Sequence, residues 1–128
     1  MSLKPNGIIL KATDFNVQGK HVYISASQTN GVPGMLLIWG DWCSHCHHFL
    51  PTFNDIAKSI GSGYCCASIE SKELKGQDTL TSALDFKGFP TICFFDQHGM
   101  VIGQYDGARD KKSVLDAICK TYHHCFRH

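Results

Sequence analysis

The segment Trp42-Cys43-Ser44-His45-Cys46-His47-His48 (WCSHCHH) holds two cysteines separated by two residues. That spacing fits a redox-active thiol pair, half of a zinc site or, with His47 counted, the attachment signal of a c-type haem. What surrounds the segment bears on the choice. Upstream, Met35-Leu36-Leu37-Ile38-Trp39 is a continuous apolar run of strand length, the pattern of a strand covered on both faces. Downstream, Cys46, Phe49, Phe53, Ile56 and Ile60 recur three or four residues apart and end at Gly61 and Gly63, which reads as an amphipathic helix with a glycine stop. Pro51 falls inside that helix, where it removes one hydrogen bond and is expected to kink the axis. The pair therefore sits where a buried strand hands over to a helix.

The rest of the chain follows the same α/β alternation. Ile8 to Leu10 and His21 to Ser25 are short strand candidates, the second with Val22 and Ile24 alternating against polar neighbours. Asn30-Gly31 and Pro33-Gly34 mark a loop before the apolar run. Tyr64 to Ile69 returns to strand character, and Asp78 is expected to cap a short helix with Leu80, Ala83 and Leu84 on its inner stripe. Gly88-Phe89-Pro90-Thr91-Ile92-Cys93-Phe94-Phe95 and Val101 to Tyr105 flank Asp96-Gln97-His98-Gly99 and predict an antiparallel hairpin. Asp110 suits the N-cap of a last helix carrying Val114, Ala117, Ile118 and Tyr122 on one face, with residues 123–128 as a frayed tail. This order predicts a single α/β domain over residues 1–128, with a central mixed β-sheet flanked by helices.

Composition narrows the function. With 43% hydrophobic and 18% charged residues, the chain is composed like a folded domain. Its formal net charge is +1 and its lysines and arginines are scattered, so the electrostatic footprint of a nucleic-acid or anionic-membrane partner is missing. The longest apolar run is far short of a membrane span, and the first ten residues hold no signal-like apolar stretch, so a soluble, cytoplasmic monomer is expected. Seven cysteines leave at least one thiol unpaired within the chain. Cys65, Cys66, Cys93 and Cys119 lie in apolar patterns and read as buried filler; Cys125, in the tail, is the exposed extra thiol.

A cysteine at a helix N-terminus faces unpaired backbone N–H groups and the positive end of the helix dipole, which stabilise its thiolate. Cys43 occupies that place, and Cys46 follows one turn deeper, an arrangement that predicts a nucleophile and a shielded resolving thiol. These residues also carry a resemblance. Trp42-Cys43-Ser44-His45-Cys46, Pro51 five residues on, Gly88-Phe89-Pro90-Thr91 before apolar strand residues, and Gly107-Ala108 before the last helix together resemble the thioredoxin superfamily, from about Met35 to Cys119.

The resemblance implies a thioredoxin fold, Cys43 as attacking cysteine, Cys46 as resolving cysteine and Pro90 as the cis-proline facing them. It further implies that Trp42, Phe89, Pro90, Gly107 and Ala108 form a client-docking surface. His45, just before the second cysteine, is similar to protein disulfide isomerase, and an imidazolium there would make the pair more oxidising than that of thioredoxin. The implied function is a thiol–disulfide oxidoreductase that needs no cofactor and works with protein clients and a recycling reductase or oxidase. Two positions depart from the family pattern. Leu37 stands where the family carries a buried acid six positions ahead of the first cysteine, and Cys66 stands where a lysine often accompanies it. Water, His45 or Asp41 would then deprotonate Cys46.

Other readings stay open at this point. A thioredoxin-fold binding module would hold clients without cycling its thiols. A metal-binding domain would recruit Cys125 with His123 or His124 to complete a zinc site. His47, His48 and His98 are expected to face solvent.

Overall fold

The computed structural model describes residues 3–61 and 63–122. Seven strands alternate with four helices: β1 (Ile8–Leu10), β2 (Phe15–Gln18), β3 (His21–Ile24), α1 (Ala26–Thr29), β4 (Gly34–Trp39), α2 (Ser44–Ser59), β5 (Cys65–Glu70), α3 (Asp78–Leu84), β6 (Thr91–Phe95), β7 (Val101–Tyr105) and α4 (Lys111–Tyr122). Every residue of β4 is buried, as its unbroken apolar run requires. This strand is the centre of a five-stranded sheet in the order β1-β5-β4-β6-β7. β1, β5 and β4 run parallel; β6 and β7 are antiparallel to their neighbours, so the sheet is mixed.

The strand period of two divides β4 between two cores. Met35, Leu37 and Trp39 pack with Cys46, Phe49, Leu50, Phe53 and Ile56 of α2 and with Val114, Leu115 and Ile118 of α4. Leu36 and Ile38 pack on the other face with Leu80 and Leu84 of α3 and with Val22 and Ile24 of β3. Each fully buried Leu or Ile here contributes about 1.5–3 kcal/mol of transfer free energy. Gly34 begins β4 because a Cβ there would stand 1.9 Å from the carbonyl oxygen of Cys65. The hydroxyl of Tyr122 in α4 shares its one proton between the carbonyls of Gly34 at 2.9 Å and Phe95 at 2.8 Å, tying the helix to the sheet.

Most of the expected elements are present, with local differences. β2 pairs with β3 in a separate two-stranded hairpin that the sequence reading lacks, because Asn16 and Gln18 alternate with only two apolar residues. Asp78 is the first residue of α3 behind Gln77 rather than its cap, whereas Asp110 caps α4 through the Ser113 amide at 2.8 Å. α2 is continuous through Pro51 and stops at Ile60 before Gly61, whose φ of +71° suits glycine. The tail predicted over 123–128 lies outside the described residues. Among the described residues no helix is long and apolar enough to cross a membrane.

Candidate active site at the start of α2

Gly40, Asp41 and Trp42 connect β4 to α2 in a tight turn closed by the Cys43 amide on the Gly40 carbonyl at 3.0 Å. Cys43 is the N-cap residue of α2, with extended backbone, and its Sγ accepts the Cys46 amide at 3.2 Å. Its side chain therefore does what a Ser or Asp N-cap does, with sulfur in place of oxygen. Cys46 is fully buried one turn further on, and its Sγ takes the Gly40 amide at 3.5 Å.

The two thiols are not equivalent. Burial pushes the Cys46 thiol up to about 12, the neighbouring Cys43 thiol adds to the shift, and the Gly40 amide and the positive charge of Arg109 oppose it. Leu37 is buried in the same apolar cluster as Cys46 and offers no proton acceptor, as its identity predicts. Cys66 and Cys93 are pushed up to about 12, and Cys65 to about 11, by burial first. Cys66 and Cys93 are buried filler, as expected, whereas Cys65 is half-buried and its thiol donates to the Val32 carbonyl at 3.8 Å. Cys119 is half-buried and disulfide-bonded, which departs from the filler reading, and Cys125 lies outside the described residues.

Pro90 closes the site from across the sheet edge. The Phe89–Pro90 peptide is cis, and the Cys43 thiol donates to the Phe89 carbonyl at 3.7 Å. Trp42 is 70% exposed; its ring meets Phe89 edge to face at 5.2 Å, and its Nε1–H donates to Ser71 Oγ at 3.1 Å. Phe89 in turn meets Phe86 at 5.3 Å. Gly40 makes room for this tryptophan, since a Cβ there would stand 2.7 Å from the indole ring. Gly107 lines a polar hollow of about 190 Å³ beside Pro90, shared with Asp106 and Arg109. Ala108 is not on its wall; the Ala108 carbonyl accepts the Tyr105 hydroxyl instead.

A domain described as Thioredoxin matches this sequence over residues 20–120. The chain belongs to the thioredoxin family. Among curated relatives, the protein disulfide-isomerase of Medicago sativa is 29% identical over 86 residues, covering 67% of this chain and 16% of its own length. The protein disulfide-isomerase of Ricinus communis is 30% identical over 86 residues, covering 67% of this chain and 17% of its own length. The chain thus spans about a sixth of these thioredoxin-family relatives. Among solved structures, the J-Trx1 fragment of ERdj5 superposes with a TM-score of 0.67 at 20% identity, over 91% of this chain and 52% of that one. A mutant thioredoxin from Halobacterium salinarum does so with 0.64 at 19% identity, over 88% of each chain. Both share the thioredoxin fold.

The structure thus gathers Cys43, Cys46, Trp42, Phe89 and Pro90 at one end of the sheet. His45 is exposed, its ring lies against His48 at 6.5 Å, and among the described residues no hydrogen bond or ion pair joins it to either cysteine. The haem reading loses its axial ligand, because His47 Nε2 is engaged by the Asp41 carbonyl at 2.6 Å. Among the described residues no cluster of three metal-ligating side chains forms, and the proposed ligands His123, His124 and Cys125 lie outside them. Arg109 is the contributor that sequence reasoning missed. Its place just after Gly107-Ala108 was the available signal, but its charge reaches Cys46 only once the chain is folded.

Proposed function

We propose that this chain is a thiol–disulfide exchange domain acting on protein clients, with Cys43 as nucleophile and Cys46 as resolving thiol. One observation carries most of the support: Cys43 Sγ caps α2, accepting the Cys46 amide at 3.2 Å, and lies 3.7 Å from the carbonyl that precedes Pro90. An extended client laid against Phe89, Pro90 and Trp42 brings its disulfide to that sulfur. The names of the protein disulfide-isomerase relatives support polypeptide clients.

In the reducing direction, the Cys43 thiolate attacks one client sulfur, the client S–S bond breaks, and the departing client thiolate takes a proton from water. Cys46 then loses its proton to water and attacks the Cys43 sulfur. The second client thiolate leaves, and a Cys43–Cys46 disulfide remains. Two electrons pass from the pair to the client; run backwards, the same steps oxidise a client dithiol. A recycling reductase or oxidase completes the cycle in either case.

Reduction of insulin by dithiothreitol tests this reading. Wild type is expected to accelerate it and Cys43→Ser to lose the acceleration, while Cys46→Ser accumulates mixed disulfides with clients. Acceleration that survives in Cys43→Ser would favour a second reading, a client-binding module. That reading draws on the buried Leu37 and on a Cys46 thiol pushed up to about 12, which together slow resolution.

A further inference from the structure

We propose that His47 is the positioning residue of this site, holding the turn that presents Cys43 and Trp42. The inference rests on the exchange reading above and names the group that keeps its nucleophile in place.

In the turn from Gly40 to Cys43, the carbonyls of Asp41 and Cys43 lie on either side of Trp42 in the chain. Both are held by His47. Its backbone N–H donates to the Cys43 carbonyl at 3.2 Å, as the helix ladder requires, and its ring Nε2 lies 2.6 Å from the Asp41 carbonyl oxygen. A carbonyl can only accept, so Nε2 carries the proton. One residue thereby fixes the turn on both sides of the docking tryptophan.

The clamp stands on a rigid base. The His47 ring meets Trp39 edge to face at 6.2 Å, and Trp39 is 3% exposed at the end of β4. The Asp41 carboxylate is 3.8 Å from His47 Nε2 and 3.5 Å from Lys4 Nζ, whose ammonium sits 5.5 Å over the Trp39 ring. Lys4 is itself anchored, its carbonyl accepting from the buried Asn54 side chain at 3.0 Å. The same turn gives the Gly40 amide to Cys46 Sγ. Releasing Asp41 therefore frees the turn that touches both sulfurs, moving Cys43 off the N-cap and Trp42 off Ser71 and Phe89. The His47 side chain is 30% exposed and its ring packs on Trp39, so the replacement must keep its bulk.

The test reads Cys43 directly, by iodoacetamide alkylation followed at the peptide that contains it. His47→Leu keeps bulk and removes the donor; alkylation near neutral pH is expected to slow by about three- to ten-fold, the factor one hydrogen bond supplies. His47→Gln restores a donor and is expected to recover the wild-type rate to within ~two-fold. In the wild type, ring nitrogen NMR shifts at mildly alkaline pH should place the proton on Nε2. Unchanged Cys43 reactivity in a folded His47→Leu, an equally slow His47→Gln, or a wild-type ring protonated on Nδ1 alone overturns the proposal. If His47→Leu does not fold, the glutamine variant and the tautomer decide. A wild type that alkylates at Cys43 yet never accelerates insulin reduction sinks the exchange reading and leaves this measurement standing.

Discussion

Leu37 and Ser68 stand opposite each other in the parallel β4–β5 register, both buried, on the sheet face that packs against Cys46, and among the described residues the Ser68 hydroxyl has no hydrogen-bond partner. Neither side chain is a base. Resolution of a mixed disulfide at Cys43 must then wait for a Cys46 thiolate formed by exchange with solvent. With that thiol pushed up to about 12, the resolution rate is expected to rise about tenfold per pH unit from ~7 to ~9 without a plateau. Quenched-flow decay of a Cys43-linked client peptide measures it; a plateau near neutrality would reveal a base of carboxylate or imidazole character.

Leu37→Asp should exchange stability for speed. Losing a buried leucine costs about 2–5 kcal/mol, and an unpaired buried carboxylate adds to that. Burial raises such a carboxyl in the folded state above its unfolded value, so the variant keeps more of its stability at acid pH and loses it as pH rises. Urea unfolding at about pH 5 and about pH 8 should show the larger loss at the higher pH, alongside faster resolution. Equal losses at both pH values would mean that the introduced carboxyl is solvated.

Arg109 acts on Cys46 through its charge, so Arg109→Gln should slow resolution by roughly two- to five-fold at low ionic strength. Added salt should narrow the gap between variant and wild type. Cys43 alkylation should stay unchanged, and a matching slowdown there would show that the arginine shapes the whole loop rather than one sulfur.

Trp42 is exposed, so Trp42→Ala should change stability by no more than ~0.5 kcal/mol while lowering the yield of trapped client by about tenfold. Gly40→Ala should lower that yield too, with the tryptophan still present, because the added methyl occupies the space of the indole ring. Thermal melts and trapping with Cys46→Ser in each background check both. Undiminished capture by either variant would move the docking surface elsewhere.

The buried thiols set an alkaline limit. Burial pushes the Cys46, Cys66 and Cys93 thiols up to about 12 and that of Cys65 up to about 11, from about 9 when unfolded. The unfolded chain therefore loses its protons first, and the stability of the protein with these thiols reduced falls as pH climbs from about 9 toward 12. Each thiol contributes a slope of up to ~1.4 kcal/mol per pH unit. Cys93→Val, an apolar replacement at a fully buried site, should make that slope shallower by about one thiol's share in urea titrations. An unaltered slope would mean that Cys93 ionises as readily in the fold as outside it.

Much of this was legible in the chain because the signals are local. Five consecutive apolar residues placed β4 at the centre of the sheet, and the change of period at Cys46 placed α2 against it. The pair, Trp42 and Phe89-Pro90 form short motifs that survive reading in one dimension. β2 escaped because four residues with two apolar members carry too little periodicity. His47 reads in the chain as a solvent-facing residue because direction around the helix is not local information, yet its ring reaches back to Asp41. Arg109 is far away in sequence and meets Cys46 only through its field.

The covering of Cys65, Cys66 and Cys93 bears on how the protein meets peroxide. Peroxide attacks thiolates, and these neutral sulfurs, pushed up to about 11 and 12, present almost none near neutrality. Cys46 is pushed up likewise, which among the described free cysteines leaves Cys43, whose sulfur accepts the Cys46 amide at the start of α2. A sulfenic acid formed there lies one helical turn from Cys46 and can condense with it to a reducible disulfide before climbing to sulfinic acid. Among the described free cysteines, the peroxide chemistry thus falls on one sulfur that has its rescuer next door.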